Sequence, residues 1–197
     1  MNKKTEIEIR TTSSEVVICK TERGKSGSGR RVEGYALLFN TPSDGLSFEE
    51  IILPGALDGV IARSNVFALL NHDAARGILA RSKYGSGTLT LEIDGFGLRY
   101  SFEAPNTHLG DELLEYLRRG DINESSFAFT VKEEEWGKIG NKMIRKIKKI
   151  NLLFDVSPVY DAAYSQTSVS AGTRAEAERK RIVELELYYQ NLNKHLN

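Results

Sequence analysis

Apolar residues along this chain recur mostly with a period of two, the repeat of a half-buried strand. Within 5–20, Ile7 and Ile9 alternate with polar residues, and Val16, Val17 and Ile18 follow. Residues 32–39 repeat the pattern, with Gly34 read as a bulge or a point of close packing. A short apolar run over 48–53 is stopped by Pro54-Gly55, and 56–63 reads as one or two helical turns. The β-branched and aromatic content of 66–71 predicts a buried strand. Strands are also predicted over 79–81, 88–93 and 98–102, with Asp94-Gly95 as the hairpin turn between the last two. Further on, 127–135 alternates, 136–141 turns and 142–156 returns.

One internal segment changes period. Leu109, Leu113, Leu114 and Leu117 fall on one face of a helix. Asn106 or Thr107 can cap it, Asp111 and Glu112 lie near its start, and Arg118 and Arg119 lie at its end. Those charges suit the helix dipole, and Gly120 suits the left-handed residue that ends a helix. Closely spaced strands therefore outnumber helices. The expected fold class is α+β: a mainly antiparallel, barrel-like domain with peripheral helices.

The last segment has a different character. Thr173 and Glu176 have capping-box spacing, and Ile182, Leu185, Tyr189, Leu192 and Leu196 form a stripe of about two heptads. The expected organisation is one domain over 1–170 and an amphipathic helix over 171–197. That helix either lies on its own domain or serves self-association or docking.

Composition narrows the function classes. The chain has 197 residues with 27 basic and 27 acidic side chains, so it offers no global attraction for nucleic acid. The run Lys142, Arg145, Lys146, Lys148 and Lys149 is read as a solvated strand face opposite Glu133, Glu134 and Glu135. There is no run of 18 apolar residues to span a membrane, and no apolar segment of a signal peptide follows Met1. Cys19 is the only cysteine, which excludes an internal disulfide and a thiolate zinc site and fits a reducing cytoplasm. No metal or cofactor is expected.

Candidate chemistry begins with three histidines, His72, His108 and His195. His195 belongs to the C-terminal segment. His108 sits in the first turn of the predicted helix, where the dipole disfavours a cation. His72 ends the apolar run Val66-Phe67-Ala68-Leu69-Leu70-Asn71, a place where a strand can hand a side chain to a cleft. Strand alternation puts it on the face of Leu70 and Ala68. A hydroxyl partner is found in Glu124-Ser125-Ser126-Phe127-Ala128-Phe129. Phe127, Phe129 and Val131 share one face there, and Ser126, Ala128 and Thr130 share the other. Two serines at a helix-to-strand turn are, taken alone, ordinary turn formers. No Gly-x-Ser-x-Gly elbow exists, which argues against an α/β-hydrolase. For the acid that would orient the imidazole, Asp73 adjoins His72 but points to the opposite face if the strand continues. Asp155 is a lone acid in the apolar strand Leu153-Phe154-Asp155-Val156 and needs a partner, either a histidine or a lysine.

Four blocks of residues resemble the prohead proteases of tailed bacteriophages, a family akin to the herpesvirus assembly protease. The first is Val32-Glu33-Gly34-Tyr35-Ala36 with Phe39-Asn40, then Phe48-Glu49-Glu50-Ile51 and Pro54-Gly55-Ala56. The second is Ala68-Leu69-Leu70-Asn71-His72-Asp73 with Gly77-Ile78-Leu79-Ala80-Arg81. The third is Gly120-Asp121-Ile122-Asn123-Glu124-Ser125-Ser126-Phe127-Ala128-Phe129. The fourth is Phe154-Asp155-Val156-Ser157-Pro158-Val159-Tyr160, ending in Ala163-Tyr164. Together they cover about 31–170 in the family's order.

The resemblance implies a serine endopeptidase with a herpesvirus-protease-like fold. It matches the family's histidine to His72, its serine to Ser126 rather than Ser125, and its acidic position to Asp155, where many relatives carry Glu. It also implies the substrates, the scaffold or a scaffold-like segment of the major capsid protein, together with self-cleavage. The expected place is the immature capsid in the host cytoplasm. The arginine that assists the herpesvirus enzymes after their third residue has no match after Asp155. The rival reading is a non-enzymatic capsid-assembly or scaffold module of the same fold.

Overall fold

A computed structural model describes residues 6–12, 17–18, 29–42 and 46–160. The predicted C-terminal helix over 171–197, Cys19 and His195 lie outside the described residues. The described residues form two sheets and two α-helices.

The smaller sheet has four strands: β2 (Val17–Ile18), β3 (Arg31–Leu38), β8 (Leu89–Ile93) and β9 (Gly97–Glu103), in the order β2-β3-β9-β8. Every pairing in it is antiparallel. The predicted hairpin turn joins β8 to β9: Asp94 Oδ1 accepts from the backbone N–H groups of Phe96 and Gly97 at 2.8 and 3.0 Å. Gly34 is the expected point of close packing. A Cβ there would lie 3.1 Å from the Tyr100 hydroxyl and 3.3 Å from Ser125 Oγ. The bulge of β3 falls slightly later, between Tyr35 and Leu37.

The larger sheet is built on two long strands, β10 (Glu124–Ile139) and β11 (Lys142–Val159), paired antiparallel along their length. Strand β1 (Glu8–Thr12) pairs with the other edge of β10. Strands β5 (Asn65–Ala68), β6 (Ala80–Lys83) and β7 (Ser86–Gly87) complete the order β1-β10-β11-β5-β6-β7, and β4 (Glu49–Ile52) pairs with the far half of β11. The pairing is mainly antiparallel as expected, although both β4 and β5 run parallel to β11. One expectation is corrected. The two sheets remain separate and do not close into a barrel.

The β10–β11 turn is shorter than the sequence predicts. Strand pairing continues through Trp136 to Ile139, so only Gly140 and Asn141 connect the strands. Trp136 keeps the ladder going because its ring meets Phe48 edge-on at 4.8 Å and lies under the Arg145 guanidinium at 5.6 Å.

Helix α2 (His108–Arg119) follows its sequence signals. Thr107 Oγ1 caps it by accepting from Gly110 N, and Gly120 closes it at φ 76°. Leu113 and Leu114 are buried, and Leu109 and Leu117 pack at the margin of the core. Helix α1 (Val60–Arg63) is a single turn.

The main core lies between the sheets. It takes Val32, Leu37, Leu98, Tyr100 and Phe102 from the smaller sheet and Val66, Phe127, Phe129, Leu153 and Val156 from the larger. A second cluster covers the opposite face of the larger sheet: Ile7, Ile9, Phe67, Leu69, Ala128 and Phe154. Strand alternation on β10 separates the two, with Phe127 and Phe129 facing the main core and Ala128 facing away.

The basic run of β11 pairs with the acidic run of β10 as expected: Glu133 stands opposite Lys149, Glu135 opposite Lys146, and Lys148 Nζ bonds Glu135 at 2.6 Å. Arg145 departs from the solvated reading. It is 7% exposed and donates to Glu50 Oε2 at 2.7 Å, while Arg10 Nε donates to Glu50 Oε1 at 2.6 Å. Glu8 and Glu134 also bond Arg145. This cluster ties β1, β4, β10 and β11 together at a carboxylate that is 2% exposed. Removing that carboxylate leaves buried guanidinium charge short of a partner. Glu50→Ala is therefore expected to cost about 3 kcal/mol, read as a lower midpoint in urea unfolding with an unchanged slope.

Candidate active site

The site lies on the outer face of the larger sheet, where three strand ends converge. Strand β5 stops at Ala68, and the chain then turns back. Asn71 and His72 both take left-handed backbone angles, φ 54° and 58°. Left-handed residues are uncommon outside glycine, with Asn and His among the more tolerant types. The turn is held at both ends: Asn71 N donates to Pro158 O at 3.0 Å, and Asp73 N donates to Leu70 O at 3.1 Å. Its effect is to break the alternation. Continuing the strand would put His72 with Leu70 and Ala68 in the main core. The turn brings the imidazole instead to Asp155, which lies opposite Phe67 on the outer face.

Ser126 and Asp155 come from adjacent strands. Ser126 stands opposite Ser157, and Ala128 opposite Asp155. The ladder then slips between Ala128 and Phe129, leaving Phe154 without a partner of its own in the register. Such a bulge re-aims side chains, and Phe154 packs in the outer cluster beside Asp155.

The three predicted residues meet. His72 Nδ1 lies 2.6 Å from Asp155 Oδ1, and His72 Nε2 lies 2.6 Å from Ser126 Oγ. All three are buried. A carboxylate cannot donate, so ionised Asp155 calls for a proton on Nδ1. Neutral His72 then presents Nε2 as an acceptor to the serine hydroxyl. An unpaired carboxylate in this environment would be costly, and both His72 Nδ1 and, at 2.8 Å, Ser157 Oγ meet it.

Ser126 has a second acceptor. Its hydroxyl also lies 3.0 Å from the carbonyl oxygen of Arg10 on β1. One hydroxyl proton therefore has two acceptors within reach, the imidazole and a neighbouring strand.

The alternatives left open by the sequence separate clearly. Asp73 is exposed and caps a 3₁₀ turn (Ala74–Arg76), its carboxylate accepting from Ala75 N at 3.0 Å. Ser125 is buried but faces the main core, where its Oγ and the Tyr100 hydroxyl are 2.9 Å apart. Burial pushes the Tyr100 phenol well above its ordinary range, with the Ser125 bond acting the other way, so the pair is neutral. His108 is exposed on α2.

A model of the caudovirus prohead serine protease family matches residues 15–181. The chain belongs to this family. The match spans His72, Ser126 and Asp155, and strand β1 precedes it. Among solved structures, the bacteriophage T4 capsid assembly protease, gp21, is similar to this chain at 13% identity, with a TM-score of 0.49, covering 80% of this chain and 99% of that one. No curated protein matches the chain. No helix among the described residues is long and apolar enough to cross a membrane.

Sequence reasoning did not find the Arg10 carbonyl at Ser126 or the Ser157 hydroxyl at Asp155. The second had a visible signal: residues two apart on a strand share a face, so Asp155-Val156-Ser157 puts a hydroxyl beside the carboxylate. The first had none, because a backbone carbonyl carries no residue identity. The inward face of Ser125 gives a simple expectation. Ser125→Ala leaves the Tyr100 hydroxyl buried without its partner and should cost about 1–2 kcal/mol in thermal or urea unfolding.

Proposed function

We propose that this prohead protease cleaves peptide bonds with Ser126 as nucleophile, His72 as general base and acid, and Asp155 as the group that orients and charges the imidazole. The observation that carries the reading is the continuous chain of bonds from Asp155 Oδ1 through His72 to Ser126 Oγ, each 2.6 Å long. As Ser126 Oγ bonds to the scissile carbonyl carbon, its proton passes to His72 Nε2, and Asp155 stabilises the resulting imidazolium. His72 then gives that proton to the departing amine. Water attacks the acyl-serine, His72 takes a proton from the water, and the proton returns to Ser126 Oγ as the acid product leaves.

The substrates proposed are the scaffold, or a scaffold-like segment of the major capsid protein, and the protease chain itself. The place of action is the immature capsid in the host cell. Membership of the prohead serine protease family supports this reading.

The test is co-expression with the phage's own capsid protein and scaffold, followed by mass spectrometry of the products. Wild type is expected to give truncated capsid or scaffold chains, and Ser126→Ala none. Equal truncation in both would move the nucleophile elsewhere. Absence of truncation in assembled particles would make the chain a structural assembly module. Ser125→Ala is expected to keep cleavage. Asp155→Asn is expected to lower the rate by about 10³–10⁴-fold, because the amide no longer favours the acceptor form of Nε2.

A further inference from the structure

Ser157 is buried within the site, and the proposed mechanism gives it no step. Its hydroxyl donates to Asp155 Oδ1 at 2.8 Å, the same oxygen that receives His72 Nδ1 at 2.6 Å. Ser157 and Asp155 are both fully buried, so water does not supply this bond in its place. The two residues lie on one face of β11, and Ser157 stands directly opposite Ser126 on β10.

Resting on the triad reading, we infer that Ser157 is a positioning residue for the reaction: it fixes the rotation of the Asp155 carboxylate so that Oδ1 faces His72. A carboxylate on a strand can turn about its terminal torsion, which is soft and roughly two-fold. The bond from His72 and the bond from Ser157, a hydroxyl whose own strand position is set by the pairing with Ser126, converge on Oδ1 and restrain that rotation together. The order is then transmitted outward. A fixed Oδ1 holds the proton on Nδ1, a protonated Nδ1 keeps Nε2 an acceptor, and Nε2 faces the Ser126 hydroxyl. Ser157 touches neither the substrate nor the reacting atoms in this arrangement and acts through Asp155.

The test compares Ser157→Thr with Ser157→Val. The two side chains have the same shape, so any cost of adding a methyl group to this buried position is shared, and only Thr can donate. Two readouts are taken on the full chain. The first is the low-field proton NMR signal of a strongly hydrogen-bonded ring N–H, assigned to His72 by its loss in His72→Ala. The second is the rate of labelling by a fluorophosphonate. Ser157→Thr is expected to keep the signal and to label within about threefold of wild type. Ser157→Val is expected to lose the signal to solvent exchange and to label at least about tenfold more slowly, with a melting temperature close to that of Ser157→Thr. Equal signals and equal labelling in Thr and Val would overturn the role of Ser157 while leaving the triad intact. A low-field signal that survives Asp155→Asn, or that is absent from wild type, would instead overturn the His72–Asp155 pairing on which both readings rest.

Discussion

The pairing of β10 with β11 is the constraint on which the rest of the structure depends. These two strands run side by side from Glu124 and Val159 at one end to Ile139 and Lys142 at the other. They carry Ser126 and Asp155, they provide the edges for β1, β4 and β5, and they form one wall of the main core. Their register decides which residues face out. Because the side-chain period in a strand is two, a slip by one residue would turn Ser126 into the core and put Phe127 in its place. The bulk of Phe127 and Phe129 in the main core makes such a slip expensive, so hydrophobic packing on one face holds the polar site on the other.

That division of labour also explains how a buried polar site is tolerated. A hydroxyl, an imidazole and a carboxylate lie within a few per cent of complete burial, yet each polar group has a partner. The carboxylate accepts from His72 and from Ser157, the imidazole uses both ring nitrogens, and the serine oxygen reaches both the imidazole and a carbonyl. Satisfied networks of this kind are rigid, since leaving any member unpaired costs more than the bond contributes in water. The Glu50 cluster, reached by the side chain of the same Arg10, follows the same logic, with a buried carboxylate between two guanidinium groups.

Much of this was legible in the sequence. Period-two alternation identified most of the strands, and the capping residue, terminal charges and Gly120 bracketed α2 closely. The three site residues followed from a resemblance carried by motif blocks. What was hidden lies where local rules yield to tertiary context. Alternation put His72 on the core face, because nothing in the residue pattern announces two successive left-handed residues. The β10–β11 turn was drawn too long, because Trp136 reads as a turn residue until Phe48 and Arg145 pack against it. A barrel was expected from the number of strands, but closure depends on twist and stagger, which composition does not encode. Arg145 has the pattern of one more solvated cation in a basic run, and only the arrival of β1 and β4 makes it an interior residue.

Strand β1 contributes no side chain to the chain of bonds from Asp155 through His72 to Ser126, yet its backbone reaches the serine. The Arg10 carbonyl competes with the imidazole for the single hydroxyl proton of Ser126. A proton held by the carbonyl points away from the base, and the serine oxygen is then the weaker nucleophile. The same residue, Arg10, is fixed at its other end by Glu50. On the proposed mechanism, the idle and armed forms of the serine differ by nothing larger than the rotation of one hydroxyl. The carbonyl on the idle side belongs to a strand that precedes the family's matched stretch, a resistor wired in parallel with the histidine.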